Sequence, residues 1–444
     1  MSLGSDAEPV AIAAHTRLAL RRKRVAVVQS SIHADYTASG VNKFPLILNA
    51  GAFLKRDVQM KQFLLLSVLL IGFADAAHAA PSGVVNISVS VHNGAVLVPV
   101  LVNGVPLNFL LDTGSESSAV GTGIIERLKL EEKGQGKALG NYSLRSTGSV
   151  EVKSIQIADV ELNSQVLAVV DLTPLSRATG VPVDGVLGND VLLSSPFKLN
   201  YSKQTMTLGP LSQLGDLGTP IEMRRMRDQF FVPITLISLR QEVLVDTGTN
   251  STNLSWSTWE QLSKMWKPKS VIEGIVSSEG STALLACLDS VRIGNIEVNN
   301  QAMRVQSQTR SGAFADRGFA GILGADFWRQ FEVTFDPSRG MLYLKLDPGF
   351  EPDPYKYVTI GVQFAKAPSG VFTVMSVWKN SPAAEAGIEP GDHISAVDGE
   401  SVSALTAEQL SKKLHARAGT SIKLNLDRSG GLFVITVKTR KLLC

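Results

Sequence analysis

The sequence predicts a mainly β protein that consists of two homologous lobes and a small C-terminal α+β module. Three observations support this fold class: an internal repeat, apolar residues at alternate positions in both copies, and Gly- and Pro-rich stretches between the segments. Alternation is the pattern of strands with one buried face. The chain of 444 residues also exceeds the usual size of a single hydrophobic core, so more than one domain is expected.

Two identical tripeptides are at the centre of the repeat: Asp112-Thr113-Gly114 and Asp246-Thr247-Gly248. An apolar strand precedes each tripeptide, and a hydroxyl residue follows it, Ser115 in the first copy and Thr249 in the second. A single copy is typical of a simple turn, because Asp and Gly are frequent turn residues. Two copies in the same apolar frame are unlikely by chance and favour a shared function.

The repeat continues downstream of both tripeptides. The matching segments are Gly185-Val186-Leu187-Gly188 with Gly321-Ile322-Leu323-Gly324, and Phe197, Leu199 and Tyr201 with Phe331, Val333 and Phe335. We therefore predict a duplicated lobe, with residues 84–210 as lobe 1 and residues 221–347 as lobe 2. The Gly- and Pro-rich stretches at 209–220 and 347–354 are predicted linkers, and residues 355–441 form the third module.

Local patterns predict the elements around the tripeptides. An apolar run from Val96 to Val102, the turn Asn103-Gly104 and alternate apolar residues up to Leu111 predict a hairpin with a two-residue turn. That hairpin would deliver Asp112 at the end of a strand. Apolar residues at helical spacing predict short helices at residues 123–130 and 256–266.

The N-terminal segment has the three parts of a secretory signal peptide at residues 60–79: a short basic start, an apolar run of 63–73, and Ala77-His78-Ala79. It predicts cleavage after Ala79 and export to the periplasm or the exterior, with residues 1–59 as an over-extended start. The alternative retains residues 1–59 and makes the run an internal membrane anchor. A membrane would be a partner only through such an uncleaved segment.

The charge balance gives no indication of a nucleic-acid partner. The formal net charge is +3, but residues 1–79 hold nine Lys or Arg and five acidic residues, which leaves 34 basic and 35 acidic residues in the rest of the chain.

The cysteine content is also low. Cys287 and Cys444 are the only two cysteines, too few for a zinc site or a disulfide framework. They allow one bridge in an oxidising compartment, but we expect a buried thiol and a free terminal thiol.

The paired tripeptides resemble those of pepsin-like and retropepsin-like aspartic peptidases, and the resemblance covers residues 84–347. It implies two β-barrel-like lobes related by a pseudo-twofold axis. It also implies that Asp112 and Asp246 share one proton and activate a water for attack on a peptide carbonyl, since like-charge repulsion prevents both carboxyls from ionising. The substrate would be a protein or peptide, with neither a metal nor an organic cofactor.

The resemblance also implies supporting roles for neighbouring residues. Thr113 and Thr247 would bond the opposite loop, Gly114 and Gly248 would leave room beside the carboxyls, and Ser115 and Thr249 would donate to the outer carboxylate oxygens. Leu187 and Leu323 would support the loops from below. The flap candidates over the cleft are Gly140, Asn141 and Tyr142, with a second flap at residues 274–280.

Two further acids follow the supporting segments. We predict that Asp190 and Asp326 cap the helices that follow them and are not additional catalytic acids.

The third module resembles a PDZ domain of the bacterial type, on the segment from Ser381 to Ile394 and the hairpin at residues 397–400. The resemblance implies a peptide-binding device. The loop Ile360-Gly361-Val362 would present backbone N–H groups to a carboxylate, and residues 406–416 would form the groove helix, with Leu410 and Leu414 facing inward. Its ligand would be a peptide terminus or an extended strand.

The predicted lobes lack the histidines that other catalytic mechanisms need. His92 is the only histidine of the predicted lobes, so neither a Ser-His-Asp triad nor a His-rich metal site is supported. A non-catalytic peptide-binding protein that keeps the peptidase fold stays open as the alternative function.

Overall fold

The computed structural model describes residues 83–139, 144–276, 282–306, 314, 318–367 and 369–444. Several predictions fall outside the described residues: the over-extended start (1–59), the signal peptide (60–79), the flap candidates Gly140, Asn141 and Tyr142, and most of the second flap (277–280).

The described residues of lobe 1 form eleven strands. They are β1 (Val85–Ser88), β2 (Ser90–His92), β3 (Ala95–Val102), β4 (Val105–Leu111), β5 (Ala119–Gly121), β6 (Glu132–Leu139), β7 (Leu144–Ile157), β8 (Val160–Val170), β9 (Gly185–Leu187), β10 (Phe197–Asn200) and β11 (Thr205–Leu208). Its helices are α1 (Thr122–Leu128), α2 (Thr173–Thr179) and α3 (Asn189–Leu192), and a 3₁₀ turn, Leu211–Gln213, leads to lobe 2.

Lobe 2 repeats this series. Its strands are β12 (Thr219–Glu222), β13 (Arg224–Met226), β14 (Gln229–Leu236), β15 (Leu239–Val245), β16 (Asn253–Leu254), β17 (Val271–Val276), β18 (Thr282–Ile293), β19 (Ile296–Gln306), β20 (Gly321–Leu323), β21 (Phe331–Asp336) and β22 (Met341–Leu346). Its helices are α4 (Trp256–Met265) and α5 (Ala325–Trp328).

The C-terminal module combines strands with two helices. The strands are β23 (Val358–Thr359), β24 (Val362–Lys366), β25 (Phe372–Val377), β26 (His393–Val397), β27 (Glu400–Ser401), β28 (Ser421–Arg428), β29 (Gly431–Lys438) and β30 (Arg440–Lys441), and the helices are α6 (Pro382–Glu385) and α7 (Ala407–Leu414). None of the helices described in the chain has the length and apolar character needed to span a bilayer.

The sheet topology confirms the duplication. Lobe 1 has an eight-stranded sheet in the order β2-β3-β4-β9-β5-β8-β7-β6, with an extra β3–β7 pairing that curls it toward a barrel. Lobe 2 has the order β13-β14-β15-β20-β16-β19-β18-β17 with an extra β14–β18 pairing, so every strand has its counterpart in the same place. The fold is therefore mainly β with two homologous lobes, as the repeat predicts.

A six-stranded sheet joins the two lobes. Its order, β1-β11-β10-β21-β22-β12, places equivalent strands of the two copies symmetrically about the central β10–β21 pair. In that antiparallel pair Phe197 lies opposite Phe335, and their rings stack with centroids 4.7 Å apart. The apolar alternation of the two segments thus builds one core shared by both lobes.

The hairpin before the first tripeptide is confirmed. Strands β3 and β4 pair in antiparallel register from Val102–Val105 outward. Asn103 and Gly104 both have positive φ, 50° and 78°, as the two-residue turn requires. The predicted helices occur as α1 and α4, each ending one or two residues earlier than its apolar pattern.

The C-terminal module has its own core around the fully buried Phe372. Helix α7 begins after a capping box, in which the Thr406 side chain accepts from the Gln409 N–H and the Gln409 side chain accepts from the Thr406 N–H. Leu410 and Leu414 face inward as predicted, and the helix ends at Leu414.

The prediction of two unpaired thiols is wrong. Cys287 of β18 and the C-terminal Cys444 form a disulfide, with their Cα atoms 5.4 Å apart. Sequence reasoning could not bring together two residues separated by 157 positions, because their proximity depends on how the C-terminal module packs against lobe 2.

We expect that removing this bridge, by reduction or by the double change Cys287→Ser and Cys444→Ser, lowers the stability of the chain by about 3 to 5 kcal/mol, because a long loop of the unfolded chain is no longer closed. Denaturant unfolding with and without reductant measures the effect. Identical unfolding midpoints for the oxidised and reduced chains would contradict it.

Candidate active site

The two tripeptides follow equivalent strands. Asp112 comes directly after β4, and Asp246 directly after β15. The parallel neighbours β9 and β20 hold the two loops from one side, because the Asp112 N–H donates to the Leu187 carbonyl at 3.0 Å and the Asp246 N–H to the Leu323 carbonyl at 3.2 Å. Leu187 and Leu323 are fully buried, which agrees with their predicted supporting role.

The threonines of the two tripeptides lock the lobes together, as predicted. Each hydroxyl accepts the backbone N–H of the other threonine, with both distances 3.1 Å. Each hydroxyl then donates across the interface: Thr113 to the Val245 carbonyl at 2.9 Å and Thr247 to the Leu111 carbonyl at 2.8 Å. Both threonines are buried, so these four bonds form where water cannot compete.

This lock brings the two carboxyls together. Asp112 and Asp246 come close enough to interact through a hydrogen bond, although 134 positions separate them in the chain. Within each loop one carboxylate oxygen accepts two backbone N–H groups, from Gly114 and Ser115 in lobe 1 and from Gly248 and Thr249 in lobe 2, at 2.8–3.1 Å.

The glycines make room for this approach. A Cβ on Gly114 would lie 2.5 Å from Cγ of Asp246, and a Cβ on Gly248 would lie 2.3 Å from Cγ of Asp112. Each glycine therefore faces the carboxyl of the opposite lobe, while its N–H binds the carboxylate of its own loop. A side chain at either position would push the carboxyls apart.

The predicted roles of the next two residues are only partly observed. The Ser115 hydroxyl donates to the Ser117 carbonyl at 2.8 Å, so the expected donation from this hydroxyl to the outer carboxylate oxygen is wrong. Ser115 and Thr249 instead bind the carboxylates through their backbone N–H groups. A contact made by the backbone is invisible in a residue-type pattern.

Asp190 and Asp326 do not cap helices, contrary to prediction. The N-cap residues of α3 and α5 are Gly188 and Gly324. The Asp190 carboxylate accepts the backbone N–H and the hydroxyl of Ser118. Asp326 does the same with Thr252. Each acid thus anchors the chain that leaves its catalytic loop.

The structure adds two side chains that sequence reasoning missed. The Asn189 amide donates to the Thr113 carbonyl at 2.8 Å and to the Asp228 carbonyl at 2.5 Å. The Gln229 amide donates to the Gly114 carbonyl at 2.5 Å. Both amides connect lobe 2 with the loop of Asp112. The sequence did contain a sign of the Asn189 contact, because the second copy of the repeat has Ala325 at the equivalent position.

The surroundings of the two carboxyls raise the pKa of both. Burial, followed by the negative charge of Asp112, raises the pKa of Asp246 well above its ordinary value. Burial also raises the pKa of Asp112, but the hydrogen bond from Asp246 and those from the backbone oppose this effect. Both carboxyls are therefore harder to ionise than a solvent-exposed aspartate. Asp246 is 6% exposed, whereas Asp112 is half-buried and within reach of solvent.

The predicted carboxylate-binding loop lies between β23 and β24. Gly361 has a φ of 88°, and a Cβ there would lie 2.3 Å from Cβ of Ser381, so only glycine fits. The Ile360 and Gly361 carbonyls accept N–H groups from Ala383 and Trp378, which holds the loop against the start of α6.

Two symmetric lobes that meet at a hydrogen-bonded aspartate pair define the class of aspartic-peptidase-like proteins. Residues 98–191 and 232–327 match the sequence model described as "Aspartyl protease", and residues 358–439 match that described as "PDZ domain". The chain therefore contains two aspartyl-protease-like lobes, followed by a C-terminal PDZ domain.

Curated relatives share only short segments with the chain. A probable CtpA-like serine protease of Staphylococcus saprophyticus is 34% identical over 86 residues, which is 19% of this chain and 17% of the relative. The carboxy-terminal processing protease CtpA of Bacillus subtilis is 37% identical over 71 residues, 16% of this chain and 15% of the relative. The chain thus spans less than a fifth of the length of these relatives.

Among solved structures, an aspartic proteinase from Irpex lacteus aligns with 60% of this chain and 98% of its own length, at 13% identity and a TM-score of 0.40.

The threonine lock is testable. Thr113→Ala removes one acceptor and one donor and leaves the Thr247 N–H and the Val245 carbonyl buried without their partner, so we expect a loss of about 2 to 4 kcal/mol in the free energy of unfolding. Thr113→Ser keeps the hydroxyl and is expected to lose less than about 1.5 kcal/mol. Denaturant unfolding compares the two; equal losses would contradict the role of the hydroxyl.

The glycine contact gives a second test. Gly114→Ala places a methyl against the Asp246 carboxyl, and we expect a loss of about 1 to 3 kcal/mol of stability. Gly123→Ala is the matched control, because a Cβ on this residue of α1 meets nothing within 4 Å and alanine favours the helix. If thermal melting shows Gly114→Ala to be as stable as Gly123→Ala, the packing argument fails.

Proposed function

We propose that the chain is an aspartic endopeptidase that hydrolyses peptide bonds with a water activated between Asp112 and Asp246. The observation that carries this proposal is the close carboxyl pair, in which each carboxyl faces the glycine of the opposite loop and burial raises the pKa of both groups. An amide is a poor electrophile and water a poor nucleophile, so hydrolysis needs a base for the water and an acid for the carbonyl or the leaving nitrogen. One proton shared by two carboxyls supplies both.

The unequal exposure of the two carboxyls assigns the base and the acid of this mechanism. Asp112 is the ionised, more exposed member and removes the proton from water. Asp246 is the protonated, buried member and donates to the carbonyl oxygen as it gains negative charge. The backbone N–H groups of both loops keep one oxygen of each carboxyl fixed, so the remaining oxygens stay aimed at the substrate.

The PDZ domain would bind a peptide terminus or an extended strand of the substrate or of a partner. Strand β24 lies at one end of its sheet order and has β25 as its pairing partner there, so its other edge can accept an added strand. The loop Ile360-Gly361-Val362 leads directly into this strand.

We also propose that the protein is exported to the periplasm or beyond the cell. The signal-peptide pattern at residues 60–79 is the main support. The Cys287–Cys444 disulfide adds to it, because such bridges persist in oxidising compartments.

The relatives described as serine proteases do not favour a serine mechanism here. Their matches span 71 to 86 residues, close to the 82 residues matched as a PDZ domain, and we attribute the similarity to that domain. A non-catalytic peptide-binding protein with the same fold is the competing function, and it predicts no cleavage at any pH.

The carboxyl pair predicts a bell-shaped pH dependence of cleavage. Activity falls on the acid side as Asp112 takes up a proton, and on the alkaline side as pH rises through the raised pKa of Asp246 and the shared proton is lost. Because the protonated form of Asp246 is the one favoured by folding, its contribution to stability is likewise present at low pH and lost as pH rises through that pKa. Cleavage of an unfolded protein substrate, followed across the pH range, measures this profile.

We expect Asp112→Asn and Asp246→Asn to lower the rate by on the order of 10²- to 10⁴-fold, because neither amide can exchange the proton. Both variants keep the shape of the site and are expected to remain folded, which thermal melting checks. A statine-type transition-state mimic should inhibit the wild-type chain. A folded wild-type chain that leaves the substrate uncut at every pH supports the binding protein instead.

A further inference from the structure

The PDZ domain and lobe 2 are joined through strand β17. The Gln363 side chain on β24 accepts the Val276 N–H at 2.7 Å and donates to the Val276 carbonyl at 3.1 Å. Ser376 on β25 donates to the same amide oxygen at 2.6 Å, which fixes its orientation. One side chain of the PDZ domain thus satisfies both backbone groups at the end of a lobe 2 strand.

A second contact lies three residues earlier on β17. The Lys379 N–H donates to the Glu273 carbonyl at 3.0 Å, and their side chains form an ion pair at 2.7 Å. The register of β17 shifts at Gly274, where a Cβ would lie 3.1 Å from the Val377 carbonyl. The ion pair is exposed and contributes little to stability. The backbone hydrogen bond and the close packing of Gly274 against Val377 are therefore the main contacts here.

The disulfide is a third connection between the PDZ domain and lobe 2. Cys287 lies on β18, the partner of β17, and Cys444 follows the last strand of the PDZ domain. Leu443 is 2% exposed and packs with Ile272 and Ile275 of β17.

Strand pairing continues from this joint to the second catalytic loop. Ile275 of β17 pairs with Ala283 of β18, which pairs with Gln306 at the end of β19. The buried Gln306 amide donates to the Asn253 side chain of β16 at 2.7 Å.

The last step reaches Asp246. Asn253 pairs with Ile322 of β20, and the next residue, Leu323, accepts the Asp246 N–H. An unbroken series of strand contacts therefore connects Gln363 to the loop of Asp246.

We propose that Gln363 is a positioning residue for the second half of the active site. By holding the end of β17, it fixes the sheet on which the Asp246 loop rests, and a peptide added to β24 acts on the same strand. This inference rests on the proposed peptidase function and names a means of regulation for that site.

The experiment compares the full-length wild-type chain with Gln363→Ala and with a matched control, Gln165→Ala. Gln165 is a half-buried glutamine of lobe 1 whose side-chain amide donates to the Asn163 carbonyl at 2.9 Å. Cleavage of a peptide substrate gives kcat and KM, and titration with a statine-type inhibitor counts the competent sites. Hydrogen exchange reports the opening of residues 246–254 and of β17 independently of activity.

For Gln363→Ala we expect kcat per competent site to fall about 3- to 10-fold. KM should change by less than about twofold, since the geometry of the pair acts on the transition state. Amide exchange should rise both in β17 and in residues 246–254. Gln165→Ala should match the wild type in every measurement. The effect of Gln363→Ala on kcat should be larger when Cys287→Ser and Cys444→Ser remove the second tether, because the two tethers hold the same strands.

If the wild type cleaves the substrate and Gln363→Ala has the same kcat per competent site, the inference is overturned. An increase in amide exchange confined to β17 would overturn it as well. A purely structural role would lower the melting temperature and the number of competent sites, but leave kcat per site unchanged. If the wild type cleaves nothing, the proposed function fails, and the exchange of residues 246–254 alone decides whether Gln363 acts on that loop.

Discussion

The reciprocal bonds of Thr113 and Thr247 are the interaction on which the rest of this structure depends. Two buried carboxyls repel each other when both are ionised, so the lobes need an attraction at that point that does not come from the carboxyls themselves. Four hydrogen bonds between buried threonines and the backbone of the opposite lobe provide it. The bonds have nearly equal lengths in both directions because the two lobes are copies of one another.

Symmetry of the backbone does not make the two carboxyls equivalent. Asp246 is more deeply buried than Asp112. Asn189 and Gln229 donate to the first loop, and among the described residues the second loop has no counterpart of these amide contacts. The duplicated fold supplies the proximity of the pair, whereas the unequal exposure of Asp112 and Asp246 distinguishes its two members. A shared proton needs both: without proximity the carboxyls titrate independently, and without inequality neither has a defined role.

The PDZ domain is attached to lobe 2 by more than its linker. A side-chain amide, a backbone hydrogen bond, an apolar cluster and a disulfide all reach the β17–β18 pair. These contacts differ in kind, so losing one leaves the others in place. The PDZ sheet and the lobe 2 sheet that supports the Asp246 loop are therefore two separate sheets, joined by these contacts at the β17–β18 pair.

The sequence by itself determined the duplicated lobes, the hairpin that delivers Asp112, the paired motif and the PDZ domain. These features depend on turn chemistry, apolar alternation and capping, which act between near neighbours and repeat visibly. Tertiary structure alone decided the Cys287–Cys444 bridge, the backbone contacts of Ser115 and Thr249, the anchoring by Asp190 and Asp326, and the attachment of Gln363 to Val276. Each of these joins groups that are distant in the chain or are backbone atoms common to all residues, so no residue pattern records them before the lobes have packed.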